Sequence, residues 1–159
     1  MGIERERKFL VTGEAWRESG RPFHIRQGYL CNQRRRSVRV RVRGEEAFLT
    51  IKGETDGDAR PEFEYPIPLV DATTILDTLC ERPQIEKTRY LVEVDGRVWE
   101  VDEFAGDNQG LIVAEIEFAH EGERLTLPAW VGAEVTDDPR YLNVNLVKHP
   151  FRAWRDQGT

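Results

Sequence analysis

The sequence predicts a mainly β, α+β domain of about eight antiparallel strands with a few covering helices, on three observations. Apolar and polar residues alternate with period two over most of the 159 residues. Turn-forming residues interrupt the alternation at short intervals. The polar face of the strands is charged, and its charges are sorted by sign.

Residues 3–8 alternate as IERERK and then turn apolar through FLV, as in a strand whose two ends meet different surroundings. Residues 13–21 hold a short helix. Strands follow at 23–31, 37–43, 47–52 and 62–68, parted by Gly44-Glu45-Glu46 and by a loop over 53–60. Asp71 caps a helix that carries Ile75, Leu76 and Leu79 on one face. Strands resume at 85–94 and 97–104 around Asp95-Gly96, a pair suited to a type I′ turn, and again at 111–118 after a turn over 106–110. Segment 121–131 fits neither period. Asp138-Pro139 is an N-cap and N1 pair that opens a C-terminal helix with Leu142, Leu146 and Val147. No repeat, linker or low-complexity tract divides the chain, so residues 1–159 read as one domain.

One residue in three is charged, yet four Trp and seven Phe argue for a packed core, so some charges must point inward. The net charge of −6 opposes long-range attraction of nucleic acid or an anionic membrane surface, and a focused positive site inside a cleft is still compatible with it. No apolar run approaches a membrane span and no signal-type segment opens the chain, so a cytoplasmic protein is expected. Cys31 and Cys80 are read as free thiols. His24, His120 and His149 lack triad or zinc spacing, and Trp99, Trp130 and Trp154 are read as packing residues.

Charged alternation on any single strand describes a solvated face equally well. Taken together, the rows differ from a solubility surface, which intersperses signs. Glu4 and Glu6 precede Lys8; Arg39, Arg41 and Arg43 share a face, with Lys52 on the returning strand. Glu62 pairs with Glu64, Lys87 with Arg89, Glu100 with Asp102, and Glu115 with Glu117. Like charges two apart lie on one side of a strand and repel, so each row needs counter-charge from outside it. The opposite faces are apolar, with Val38, Val40 and Val42 between the arginines. Eight strands can close into a barrel with a hydrated lumen. An interior bearing both guanidinium groups and carboxylates suits a polyphosphate chelated by Mg²⁺ or Mn²⁺.

The opening Glu4-x-Glu6-x-Lys8 resembles the signature of the CYTH domain, the triphosphate tunnel metalloenzymes. The similarity continues in order through RQGYL (26–30), VRVR (38–41), LTIKG (49–53), RPEFEY (60–65), IEKTRY (85–90), WEVDEFAGDNQGLIVAEIEF (99–118) and EVTDDPRYLN (134–143). The chain looks most like the short bacterial inorganic triphosphatases. The resemblance implies an eight-stranded antiparallel barrel forming a hydrated tunnel, and metal-dependent hydrolysis of tripolyphosphate to pyrophosphate and phosphate. It implies metal ligation and water activation by Glu4, Glu6, Glu115 and Glu117, with Glu62, Glu64 and Asp102 as nearby carboxylates. It implies triphosphate binding by Lys8, Arg39, Arg41, Lys52, Lys87 and Arg89, and it sets Tyr29 against the site as a catalytic or rim residue. Arg43 receives no role, Glu100 has the right parity, and Arg34–Arg36 lie at the strand's start, where at least two face solvent. Arg140 or Lys148 could reach the tunnel mouth. Class IV adenylate cyclase and thiamine triphosphatase are the alternatives within the family, and a non-catalytic polyphosphate or nucleotide sensor the alternative outside enzymes. The expected partner is a small triphosphate, with no nucleic acid or membrane, for a monomer or homodimer.

Overall fold

The computed structural model describes residues 2–57, 59–119 and 123–157, without the side chains of 2–4, 144 and 155–157. Strands β1 (Gly2–Val11), β2 (Arg21–Gln33), β3 (Arg36–Arg43), β4 (Glu46–Gly53) and β5 (Ala59–Pro66) precede β6 (Ile85–Val94), β7 (Arg97–Phe104) and β8 (Ile112–Glu117). They are joined in the order β5-β4-β3-β2-β6-β7-β8-β1, and pairing of β5 with β1 closes the barrel. Every pairing is antiparallel. A short extra strand, β9 (Val131–Glu134), which the alternation does not reveal, adds to β1.

Closure is possible because β1 is long enough to serve three partners. One edge pairs with β8 from Glu6 to Leu10; the other gives residues 2–5 to β5 and Phe9 and Val11 to β9. The hairpin turn at Asp95-Gly96 has positive φ at both residues, 51° and 76°, as a type I′ turn requires.

Two apolar clusters coat the outside of the barrel. Helix α1 (Ala15–Ser19) drives Trp16, fully buried, against Phe9, Val92, Trp99, Val101 and Ile116. Helix α2 (Leu69–Thr78) lays Ala72 and Leu76 on Val40 and Ala47, the outward partners of the arginine row. It starts two residues before Asp71, with Pro68 in the N-cap position, because Pro68 fixes an extended φ of −60° from which the helix departs. Gly28 lets the end of α2 approach β2, since a Cβ there would meet Cys80 Cβ and Leu76 Cδ2 at 3.1 Å. Cys31 and Cys80 are both free thiols.

The third cluster lies inside. Ile85, Phe104, Val113 and Leu10 continue the tunnel-facing parity of Lys87, Asp102, Glu115 and Lys8, so the interior turns apolar at one end. The C-terminal segment seals that end with Tyr141, Leu146, Phe151 and Trp154. It is not one helix. Asp138 caps a single 3₁₀ turn by accepting from Arg140 N at 3.1 Å; α3 (Asn143–Lys148) follows, and Pro150 separates it from α4 (Phe151–Gln157). Trp99, Trp130 and Trp154 all pack in aromatic clusters. His120 and residues 121–122 lie outside the described residues, and 123–128 form no regular element. No helix among the described residues is long and apolar enough to cross a membrane.

Leu76 is fully buried between α2 and the outer face of β3 and β4. Leu76→Ala should cost roughly 2–5 kcal/mol. Urea unfolding with an unchanged m value would measure that loss as a lowered midpoint.

Candidate functional site

The charged rows of the eight strands converge on the barrel interior. Register makes the convergence specific: Glu6 lies opposite Glu117, Lys8 opposite Glu115, and Glu100 also opposite Glu115. Glu4 stands opposite Arg60 in the backbone ladder, and its side chain lies outside the described residues. Across the barrel, Arg39 pairs with Thr50, Arg41 with Phe48, and Lys52 with Glu62.

The main cavity holds about 220 Å³ and is lined by six carboxylates, those of Glu6, Glu62, Glu64, Glu100, Glu115 and Glu117. Five cations face them: Arg39, Arg41, Arg43, Lys52 and Arg89. Arg43 therefore belongs to the tunnel, where its guanidinium also lies 4.4 Å from the centre of the Phe23 ring. A wider recess of about 580 Å³ at the mouth shares Glu100, Glu115 and Glu117 and adds Arg97, Val98 and Phe118.

Beneath the cavity sits a dry ionic layer. Asp102 accepts from Arg89 Nε at 2.7 Å and Nη2 at 2.9 Å, and from Lys87 Nζ at 2.7 Å. Arg89 Nη1 donates to Glu100 at 2.9 Å. Burial resists the Asp102 carboxylate, but Arg89 and Lys87 outweigh it and hold the group well below the usual range. Lys87, fully buried, is pushed down to about 7 by burial, which outweighs the pull of Asp102, and Arg89 and Arg41 add to the fall. Both oxygens of Asp102 are thus taken by cations, and Asp102 and Lys87 do not line the main cavity.

Above this layer, Lys8 Nζ lies 3.5 Å from Glu115 and donates to the Tyr141 carbonyl at 3.1 Å. Burial opposes the Glu115 carboxylate, yet Lys8 with Arg89 and Lys87 brings it down to about 2. Lys8 rises because Glu115 and Glu6 outweigh its burial. Burial pushes Arg41 down, aided by Arg39 and Arg89; its Nε donates to Gln27 at 2.9 Å. Arg39 bonds Thr50, which in turn donates to Glu64 at 2.9 Å. Tyr29 is buried beside this group, its phenol raised by burial against Arg39, Arg41, Lys8 and Arg60.

Arg60, Ser37 and Asn143 also line the interior and receive no role from the sequence. Arg60 opens the RPEFEY stretch and shares the parity of Glu62, and Ser37 shares the parity of Arg39. Asn143 ends the EVTDDPRYLN stretch, and its Oδ1 accepts from Lys87 at 3.3 Å because it projects from the sealing segment. Arg140 and Lys148 do not line the cavities described above: Arg140 is paired to Asp138 and stacked toward Trp154, and Lys148 is exposed. Leu142 and Asn143 line a small recess of the interior beside Lys8 and Arg39. Arg34–Arg36 are all exposed.

Hard carboxylate oxygens fit Mg²⁺ or Mn²⁺. Among the described residues no three His, Cys, Asp or Glu are already gathered around one point. Such cations complete their shells with phosphate oxygens and water.

Asp102 and Glu115 both have depressed folded values, so their stabilisation is present above the ordinary carboxylate range, about 4 to 4.5, and is lost as pH falls through the folded values. In EDTA, the stability of the protein should decline from about pH 4.5 toward pH 2. Asp102→Asn should flatten that decline while costing roughly 3–5 kcal/mol at pH 7, by leaving Lys87 and Arg89 uncompensated. Urea midpoints at pH 7, 4 and 3 measure both effects.

A CYTH domain model matches residues 2–149. An inorganic triphosphatase of Acetivibrio thermocellus is 48% identical over 156 residues, covering 98% of this chain and 100% of the relative. An inorganic triphosphatase of Nitrosomonas europaea is 39% identical over 151 residues, covering 90% and 95%. The crystal structure of an inorganic triphosphatase superposes with a TM-score of 0.64 at 36% identity, covering 91% of this chain and 97% of that one. With a closed, charge-lined barrel and a family match over nearly its whole length, the chain belongs to the CYTH domain family.

Proposed function

We propose that the protein hydrolyses inorganic triphosphate to pyrophosphate and phosphate with a divalent cation, inside the barrel and in the cytoplasm. The observation that carries this reading is the main cavity itself, where five cations face six carboxylates within about 220 Å³. A cation-lined site without carboxylates would suffice to bind an anion, and carboxylates without cations would repel one. The cavity is smaller than the roughly 300–1,000 Å³ that encloses a drug-sized organic ligand, which favours a bare phosphate chain.

Arg39, Arg41, Lys52 and Arg89 would hold the chain through charge-assisted hydrogen bonds and offset charge developing on the departing pyrophosphate. Lys87 and Lys8, beneath the cavity wall, add positive potential. Glu4, Glu6, Glu115 and Glu117 would hold Mg²⁺ or Mn²⁺, with Glu62 and Glu64 on the facing wall. When bound, such a cation neutralises phosphate oxygens and acidifies a water. The water oxygen forms a bond to a terminal phosphorus as the bond to the bridging oxygen breaks; the water's proton passes to a carboxylate, and pyrophosphate leaves. Tyr29, buried beside Arg39 and Arg41, would orient the phosphate chain rather than accept that proton, because its phenol is raised. Asp102 holds Arg89 and Lys87 in place.

Phosphate release should be fast with tripolyphosphate and slow with ATP or thiamine triphosphate, in Mg²⁺ or Mn²⁺. Rapid ATP or thiamine triphosphate cleavage would instead assign the mouth recess to an organic group, and cyclic AMP would point to a cyclase. Glu115→Gln and Glu117→Gln should each lower the rate by at least about tenfold with the fold intact. Unchanged rates in both at saturating Mn²⁺ would refute the metal-ligand assignment. Arg39→Ala and Arg41→Ala should each raise KM by about tenfold or more, from the loss of a charged hydrogen bond.

A further inference from the structure

Helix α2 covers only part of the outer face of strands β2 to β5. Its Ala72 and Leu76 lie on Val40 and Ala47, with Leu49 beside them. The next outward-facing rung toward the β2–β3 hairpin tip is apolar, and no helix among the described residues covers it. Cys31, Val38, Ile51 and Phe63 stand side by side there on four neighbouring strands. Tyr65 and Leu79, 53% and 66% exposed, extend the strip along β5 and at the C-cap of α2. None of these six side chains packs in the three apolar clusters. At the usual strand spacing of about 4.8 Å the rung alone is about 15 Å wide. A contiguous apolar strip left open beside a covered one marks a contact surface.

Charges of opposite sign border the strip. On one side is the hairpin tip, where Arg34 faces Glu54 at 3.6 Å, and the exposed Arg35 and Arg36 side chains have no ion-pair partner among the described residues. On the other side is α2, where Asp77 is taken by Arg26 at 2.8 Å. Asp71, and Glu81 just past the C-cap, are exposed and have no ion-pair partner among the described residues. We infer that the strip is the docking surface for a second copy of the chain, joined about a two-fold axis that runs through it. Such an axis carries each arginine tip onto the α2 of the other copy, so a single surface supplies both halves of the charge match. A partner of different sequence would need no such match within one face. Apolar side chains then fill the centre of the contact and charges its rim. The net charge of −6 on each copy opposes approach from a distance, so the attraction is local. The inner faces of the same strands carry Arg39, Lys52 and Glu62, and the mouth recess is lined from β7 and β8, so pairing leaves both tunnels open. The pairing is independent of the reaction that the barrel carries out.

Sedimentation velocity of the 159-residue chain over a range of concentrations is the test. The wild type should pass from one chain to two as concentration rises. Ile51→Lys puts a charge into the centre of the strip on an outward side chain, and should raise the dissociation constant by at least about tenfold. Arg35→Glu combined with Arg36→Glu should remain a single chain where the wild type is paired, and so should Asp71→Arg combined with Glu81→Arg. Mixed in equal amounts, those two charge-reversed proteins should form a heterodimer, because each tip then faces an α2 of opposite sign. Circular dichroism checks that each variant folds, and recovery of the dimer on mixing shows it independently. A wild type that stays a single chain at every concentration would assign the strip to a partner of another kind and overturn the inference. Wild-type pairing in Ile51→Lys, or charge-reversed proteins that do not pair on mixing, would overturn it equally. Assembly beyond two chains would exclude the two-fold arrangement.

Discussion

Asp102 is the charge on which the rest of the interior depends. Lys87 and Arg89 sit two residues apart on one strand, face the same way, and would repel each other in a space closed to water. One carboxylate on the neighbouring strand meets both, bidentate to the guanidinium and close to the ammonium. The apolar layer of Ile85, Phe104, Val113 and Leu10 lies directly beneath, which keeps solvent from below and raises the cost of leaving any of the three unpaired. With this layer compensated, Arg89 can extend a third donor to Glu100, and the remaining carboxylates can face open space.

The same layer explains why the C-terminal segment matters to the tunnel. Tyr141 and Leu146 pack on the apolar floor, and that packing brings the Tyr141 carbonyl to Lys8 and the Asn143 amide oxygen to Lys87. Both lysines thereby gain a neutral acceptor in addition to their carboxylate. A neutral acceptor positions an ammonium without cancelling its charge, so the positive potential directed at a bound anion survives.

Much of this was legible in the sequence. Period two gave the barrel strands, and the segregation of charge by parity gave the wall that each row occupies. Valines between arginines and the apolar turn of β1 after Lys8 marked the outer face and the sealed end respectively. Parity assigns a side chain to a face, however, and says nothing of its depth along the barrel axis. Depth follows from the stagger between strands, which places Glu4 beside Arg60 and Glu6 beside Glu117 although both glutamates share one strand. Hence Asp102 and Glu100, equivalent by parity, have different surroundings: one is enclosed by cations and the other lines the cavity. β9 escaped because four residues are too few for a periodic signal, and Asn143 because its position comes from how the sealing segment packs.

The contrast between an acidic chain and its arginine-rich strand resolves through the same geometry. The net charge of −6 sets the field at a distance, which repels extended polyanions. Inside the barrel, field lines are confined by the low-dielectric wall of apolar clusters, so local composition replaces net charge. Among the described residues that composition is close to balanced at the main cavity, where six carboxylates meet five cations. An anion entering bare meets carboxylates first and is opposed; one entering with a divalent cation has that opposition converted into ligation. The balance of charges on the cavity wall therefore favours an anion that arrives with its divalent cation over a bare one, and the exposed Arg34–Arg36 tip does not line that wall.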